Sequence, residues 1–131
     1  MENAQALETL AAAKYVRLTT FKRDGTPVPT PVWLVRSGDH LLVTTSATTG
    51  KVKRLRHTPR VLLVPSDSRG RPRAGSPEVE GTAELFTAPA DLARLQALVK
   101  QRYGFTLTVA RLVNRLRGIK GDSGIGVRIT V

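Results

Sequence analysis

A chain of 131 residues has the length of one domain, and with 40% hydrophobic and 24% charged residues it has the composition of a globular protein that buries a core. It contains no cysteine, which excludes a disulfide framework, a thiolate nucleophile and any cysteine-ligated zinc or iron-sulfur site. Its 21 Lys and Arg against 10 Asp and Glu leave a net charge of +11, so an anionic partner is expected.

The segment from Met1 to Tyr15 has no basic leader region, and no later run reaches the roughly 18 apolar residues that span a bilayer. A cytoplasmic protein without membrane contact is the expectation. Asn3 to Lys14, rich in Ala and Leu, reads as a short amphipathic helix. Tyr15 to Phe21 alternates in the manner of a half-buried strand, and Arg23-Asp24-Gly25-Thr26 turns the chain into a second strand from Val28 to Arg36. Ser37 to His40 turns it again into Leu41 to Thr45, and these three strands are expected to form a meander. Thr48-Thr49-Gly50 introduces a short basic helix from Lys51 to His57, which Pro59 ends before the apolar strand Arg60 to Val64.

Ser66 to Gly75 is a polar, Arg-rich loop. Glu78 to Phe86 reads as a fifth strand, and Thr87 as the N-cap of a helix reaching Tyr103, with Leu92, Leu95 and Val99 as its buried stripe. Thr106 or Thr108 caps a further helix carrying Val109, Leu112, Val113 and Leu116, ended by Gly118. Gly121 to Gly126 reads as a flexible turn, and Val127 to Val131 as the closing strand. About six short antiparallel strands with three to four inserted helices predict a closed or nearly closed barrel in a single domain over residues 1–131.

Much chemistry is missing. His40 and His57 are the only histidines, and both sit beside turns. There is no Gly-x-Ser-x-Gly elbow, no phosphate loop and no strand-associated Gly-x-Gly-x-x-Gly. Metal-assisted hydrolysis and nucleophilic catalysis are thereby set aside, whereas a reaction whose hard step belongs to a bound cofactor needs none of these residues. Neither a metal ligand nor a catalytic residue is assigned.

Two stretches fit a cofactor. In Thr26-Pro27-Val28-Pro29-Thr30-Pro31-Val32-Trp33, prolines at every second position remove N–H donors from one side of the strand and leave carbonyl acceptors there. That pattern suits an edge strand guarded against aggregation. It equally suits an edge along which a flat, hydrogen-bonding ring lies. In Thr45-Ser46-Ala47-Thr48-Thr49-Gly50-Lys51-Val52-Lys53-Arg54, hydroxyl residues and a glycine lead into a helix start, where unpaired N–H groups and the helix dipole attract phosphate. Lys51, Lys53, Arg54 and Arg56 oppose that dipole unless an anion answers them, and they belong to a run of eight cations between residues 51 and 73 that contains one acid, Asp67.

At these residues the sequence resembles the pyridoxamine 5'-phosphate oxidase-like superfamily of split β-barrels, and within it small actinobacterial proteins similar to coenzyme F420-dependent oxidoreductases. The resemblance runs from Tyr15 to Val131 and is most specific over Leu18 to Trp33 and Ser46 to Leu55. It implies a mainly β fold of the FMN-binding split-barrel type and a homodimer with cofactor sites at the subunit interface. It further implies that the strand at Thr30 to Trp33 lies along the tricyclic ring and that Ser46 to Arg54 holds the phosphate end. The candidate cofactor-binding residues are therefore Pro29, Thr30, Pro31, Val32, Trp33, Thr45, Ser46, Thr49, Gly50, Lys51, Lys53 and Arg54. Arg69, Arg71 and Arg73 are candidates for a polyglutamate tail.

The implied reaction is hydride transfer between a reduced deazaflavin and an electron-poor C=C or C=N bond of a small substrate. True oxidases of pyridoxamine phosphate carry a C-terminal segment with Arg and His, where this sequence reads Arg128-Ile129-Thr130-Val131, so oxidation of vitamin B6 is not expected. FMN in the same fold, with turnover or as a sequestered cofactor, is the alternative. A nucleic-acid partner would use Arg111, Arg115 and Arg117, but aromatics make up only 5% of the chain and no reading motif is present, so none is expected.

Overall fold

The structure is a computed structural model that describes residues 3–46, 49–103 and 124–131. The first hairpin forms as expected from β1 (Tyr15–Phe21) and β2 (Pro27–Val32). Asp24 Oδ1 accepts the Thr26 N–H at 3.0 Å, and Gly25 takes a φ of 89°, which only glycine adopts without strain.

The chain then departs from the meander. The run read as one strand from Val28 to Arg36 is two strands: β2 stops at Val32, and β3 (Val35–Ser37) pairs with β4 (His40–Ser46). With β5 (Arg60–Ser66), β6 (Val79–Phe86) and β7 (Gly124–Thr130), the described residues form one seven-stranded antiparallel sheet of order β2-β1-β5-β6-β7-β4-β3. β2 and β3 thus occupy opposite edges of the sheet, although only Trp33 and Leu34 separate them in the chain. Laid flat, seven strands would hold those edges roughly 29 Å apart, whereas three Cα steps reach at most about 11 Å. The sheet therefore curls until its edges meet, giving a split barrel.

The interior is filled from the strands by Val16, Leu18, Leu41, Val43, Val61, Leu63, Val127 and Ile129. Leu7 and Leu10 of α1 (Asn3–Ala12) join this core, as does Leu55 of α2 (Gly50–His57). A second apolar cluster lies outside the barrel, where Leu95 and Val99 of α3 (Pro89–Tyr103) cover Val35, Leu42 and Phe86, with Leu92 at its margin. Each such Leu or Val contributes about 1.5–3 kcal/mol of burial. α3 begins at Pro89, so Ala88 and not the expected N-cap Thr87 directly precedes it; proline's fixed φ and missing N–H suit the first helical position.

The closing strand also starts earlier than its composition suggests. Gly124 and Gly126 lie in β7, not in a turn, because Gly126 stands opposite Phe86 in β6 and the Phe86 ring fills the space a side chain would take. The helix expected from Thr106 or Thr108 to Gly118, with Arg111, Arg115 and Arg117, lies outside the described residues. Among the described residues no helix is long and apolar enough to cross a membrane.

Candidate cofactor cleft

The split in the barrel follows from strand register. Carried back from Val35 opposite Leu42, the β3 register would set Trp33 opposite Thr44 and Val32 opposite Thr45. Instead Val32 pairs with Val16 of β1. The two edges diverge at Trp33-Leu34, leaving the end of β4 with no strand on its β3 side among the described residues. The ladder to β1 needs N–H donors, which β2 can draw only from Val28, Thr30 and Val32. The backbone groups of Pro27, Pro29 and Pro31 therefore face the free edge, as the proline spacing predicted.

The side chains of β2 alternate accordingly. Pro29 and Pro31 are exposed, while Val32 joins the interior core and Thr30 lies on the same inward face, opposite Leu18. The Thr30 Oγ1 atom is buried with no hydrogen-bond partner, an arrangement that ordinarily costs about 1–3 kcal/mol and is rare in folded proteins. Trp33 sits where the strands part, but its half-buried ring packs toward the outer cluster, edge-on to Tyr15 at 6.0 Å between centroids.

The Arg-rich loop is laid against this strand. Gly70, with a φ of 82°, brings its backbone to the Pro31 ring, where a Cβ would already meet Pro31 Cδ at 3.4 Å. Asp67 orders the loop by accepting the N–H groups of Arg69 and Arg71 at 2.9 and 3.0 Å, and the Arg71 amide chiefly holds its carboxyl below the ordinary range. Arg17, opposite Pro31, pairs with Glu78 at 3.1 Å and keeps a buried Nε–H without a partner.

At the mouth of the split stands α2. Thr49 is its N-cap, its hydroxyl accepting the Val52 N–H at 3.5 Å and lying 3.2 Å from the Thr45 hydroxyl. Arg54 folds back over Gly50, whose missing side chain leaves room for the guanidinium, and donates from Nε to the buried Thr20 Oγ1 at 2.6 Å. Lys51 lies half-buried on the same face, three residues from Arg54. Burial first, and the Arg54 charge second, push the Lys51 ammonium below its ordinary value of 10.5. Among the described residues no carboxylate pairs with either cation.

Twelve candidates were expected to act together, and the structure sorts them. Pro29, Thr30, Pro31 and Val32 belong to β2 on one edge of the split, with Trp33 just past its end and turned to the outer cluster; Thr45 and Ser46 end β4 on the other edge, and Thr49, Gly50, Lys51 and Arg54 follow them at the N-cap and along α2. Lys53, two positions from Lys51, is exposed on the opposite side of the helix. The helix is also shorter than the dipole reading required: Arg54 and Arg56 fall in its last turn, where cations are favourable, so only Lys51 and Lys53 oppose the dipole. Thr20 and Arg17 were not foreseen, because nothing local marks a strand residue whose partner is 34 or 61 positions away.

A barrel opened beside a proline-edged strand, with an unneutralised helix start at the opening, belongs to the split β-barrel class. Residues 3–128 match the pyridoxamine 5'-phosphate oxidase family, and the chain is a member of it. Among solved structures, the conserved hypothetical protein Rv2991 from Mycobacterium tuberculosis is similar at 26% identity and a TM-score of 0.74, over 100% of this chain and 81% of that one. An F420 reductase is similar at 21% identity and a TM-score of 0.62, over 94% and 90% of the two chains. A FAD-binding protein from Mesorhizobium loti is similar at 17% identity and a TM-score of 0.63, over 100% and 88%. No curated protein sequence matches the chain.

Proposed function

We propose that the protein is a cytoplasmic, homodimeric oxidoreductase that binds the deazaflavin coenzyme F420 in the split and acts on a small unsaturated molecule. The observation that carries this reading is the Lys51–Arg54 pair: two half-buried cations three residues apart on one face of α2, with no acid to answer them among the described residues. A phosphodiester supplies the missing charge. The orphaned Thr30 hydroxyl and the proline-edge carbonyls supply a donor and acceptors for a flat polar ring, which fits the tricyclic group.

When bound, the deazaflavin supplies hydride chemistry toward an electron-poor C=C or C=N bond. The chain's own residues bind and orient. Lys51 and the Thr49-Gly50 amides hold the phosphate end, Arg54 is fixed by Thr20 so that its remaining N–H groups are presented without further ordering, and Pro29 and Pro31 keep a stiff edge along the ring. Arg69, Arg71 and Arg73, in a loop pinned to Pro31 through Gly70, suit an anionic tail extending from the ring. The F420 reductase among the similar structures supports this choice of cofactor, and the FAD-binding relative supports a flavin as the second reading.

Titration of the purified protein with F420 and with FMN at matched salt tests the assignment. Saturable binding of F420, tighter than FMN and weakened in Lys51→Ala, is the expected result. Preference for FMN would replace the deazaflavin by a flavin, and binding of neither would remove the redox reading.

A further inference from the structure

We propose that a second, separate site binds inorganic phosphate beneath α3, at the end of β4 remote from the cofactor split. A cavity of about 80 Å³ lies there, large enough for several waters or one tetrahedral oxyanion. Its apolar floor is Leu42 and Phe86; Arg94 and Asp91 reach it from the first turns of α3, Arg128 from β7 and His40 from the start of β4. His40 and Ser46 bound opposite ends of β4, about 20 Å apart at strand rise, so this cavity is no extension of the cofactor cleft.

The charges in the cavity are poorly used by the protein itself. Arg128 lies over the Phe86 ring at 5.2 Å and reaches Glu84 only at 3.4 Å, leaving most of its N–H groups uncommitted. Among the described residues Arg94 and Asp91 form no ion pair, with each other or with anything else. Two guanidiniums facing one small space match an oxyanion, whose oxygens accept in the fork geometry arginine offers. Asp91 then discriminates. A carboxylate in the wall repels a ligand that only accepts, such as sulfate, but accepts a hydrogen bond from inorganic phosphate, which keeps a hydroxyl throughout the neutral range. The ligand class is therefore a protonated tetrahedral oxyanion.

Calorimetric titration of the full-length protein with phosphate, sulfate and chloride at pH 7 and matched ionic strength tests the proposal. Saturable phosphate binding at least about tenfold tighter than sulfate is expected, with loss of about tenfold or more in Arg94→Gln and Arg128→Gln. Asp91→Asn should raise sulfate toward phosphate. Circular dichroism checks that each variant is folded, and Lys51→Ala separates the sites: phosphate binding that survives it supports the cavity. Binding lost in Lys51→Ala but kept in Arg94→Gln would place the anion at α2 and overturn the proposal. Equal responses to the three salts would overturn it as well.

Discussion

Arg54 donates to the Thr20 hydroxyl at 2.6 Å, joining the helix at the mouth of the split to the first strand of the barrel across 34 residues. Thr20 is fully buried, so its oxygen depends on this guanidinium, and the guanidinium in turn is aimed by it. Thr20→Val keeps the shape and removes the acceptor. It should cost about 1–3 kcal/mol in urea unfolding, because the Arg54 donor loses its protein partner. It should also weaken cofactor binding, since Arg54 is no longer fixed. Unchanged stability and affinity would show that the bond positions nothing.

Lys51 and Lys53 separate the two sides of α2. Lys51→Ala should lower cofactor affinity by about tenfold or more, the scale of one charge-assisted phosphate contact, while exposed Lys53→Ala should change it by less than about threefold. Equilibrium titration of both variants checks this. Equal losses would mean that net charge alone, and not the half-buried side chain, drives binding.

The Lys51 ammonium, lowered from 10.5 by burial and by Arg54, makes stability depend on alkaline pH. Between its folded value and its unfolded value the unfolded chain binds more protons, so stability rises with pH across that window, and below it the penalty of the charged form is felt in full. Lys51→Met should therefore be more stable than the native protein at neutral pH, with the gap closing as pH climbs toward 10.5. A bound anion acts in the opposite sense by favouring the charged ammonium. Cofactor affinity should fall as pH rises through the lowered value, and Lys51→Met should abolish that fall. Denaturation and binding measured from pH 7 upward read both effects.

Trp33 is the only tryptophan, and it stands in the link where β2 and β3 part to opposite edges of the sheet. Its packing against Tyr15 and the outer cluster keeps it beside the proposed ring site without stacking on the ring. F420 or FMN should quench its emission stoichiometrically by energy transfer at short range. Raised salt should weaken the quenching without abolishing it, because ring packing is less screened than phosphate contact. Emission unaffected by saturating cofactor would move the site elsewhere.

Gly126→Ala tests the closure of the barrel. The new Cβ would fall within the Phe86 ring across the β6–β7 ladder, and Phe86 is itself held in the cluster under α3. A loss of about 1–3 kcal/mol is expected in chemical denaturation, the usual range for overpacking a closely filled site. No change would mean that Phe86 moves freely.

Light scattering at micromolar concentration tests the proposed homodimer. A species of twice the 14.2 kDa chain mass is expected. A monomer that still binds cofactor tightly would show that one chain completes the cleft.

The sequence by itself determined the elements whose cause is local. Period-two alternation marked β1 and β6, a short apolar run after Pro59 marked β5, Asp24-Gly25 marked the first turn, and hydroxyl residues before Gly50 marked the start of α2, because side-chain direction, positive φ and capping act within a few residues. The proline spacing even predicted which side of β2 would be left free. What the sequence could not decide was where that strand ends. Trp33 and Leu34 are apolar like their neighbours, so Val28 to Arg36 reads as one run, and only closure of the sheet makes β2 turn to β1 while β3 turns to β4. The same holds for the site. Lys51, Lys53 and Arg54 look equivalent in a row, but tertiary packing buries one, ties another to Thr20 and leaves the third in water, since burial and long-range partners depend on what the folded barrel brings alongside.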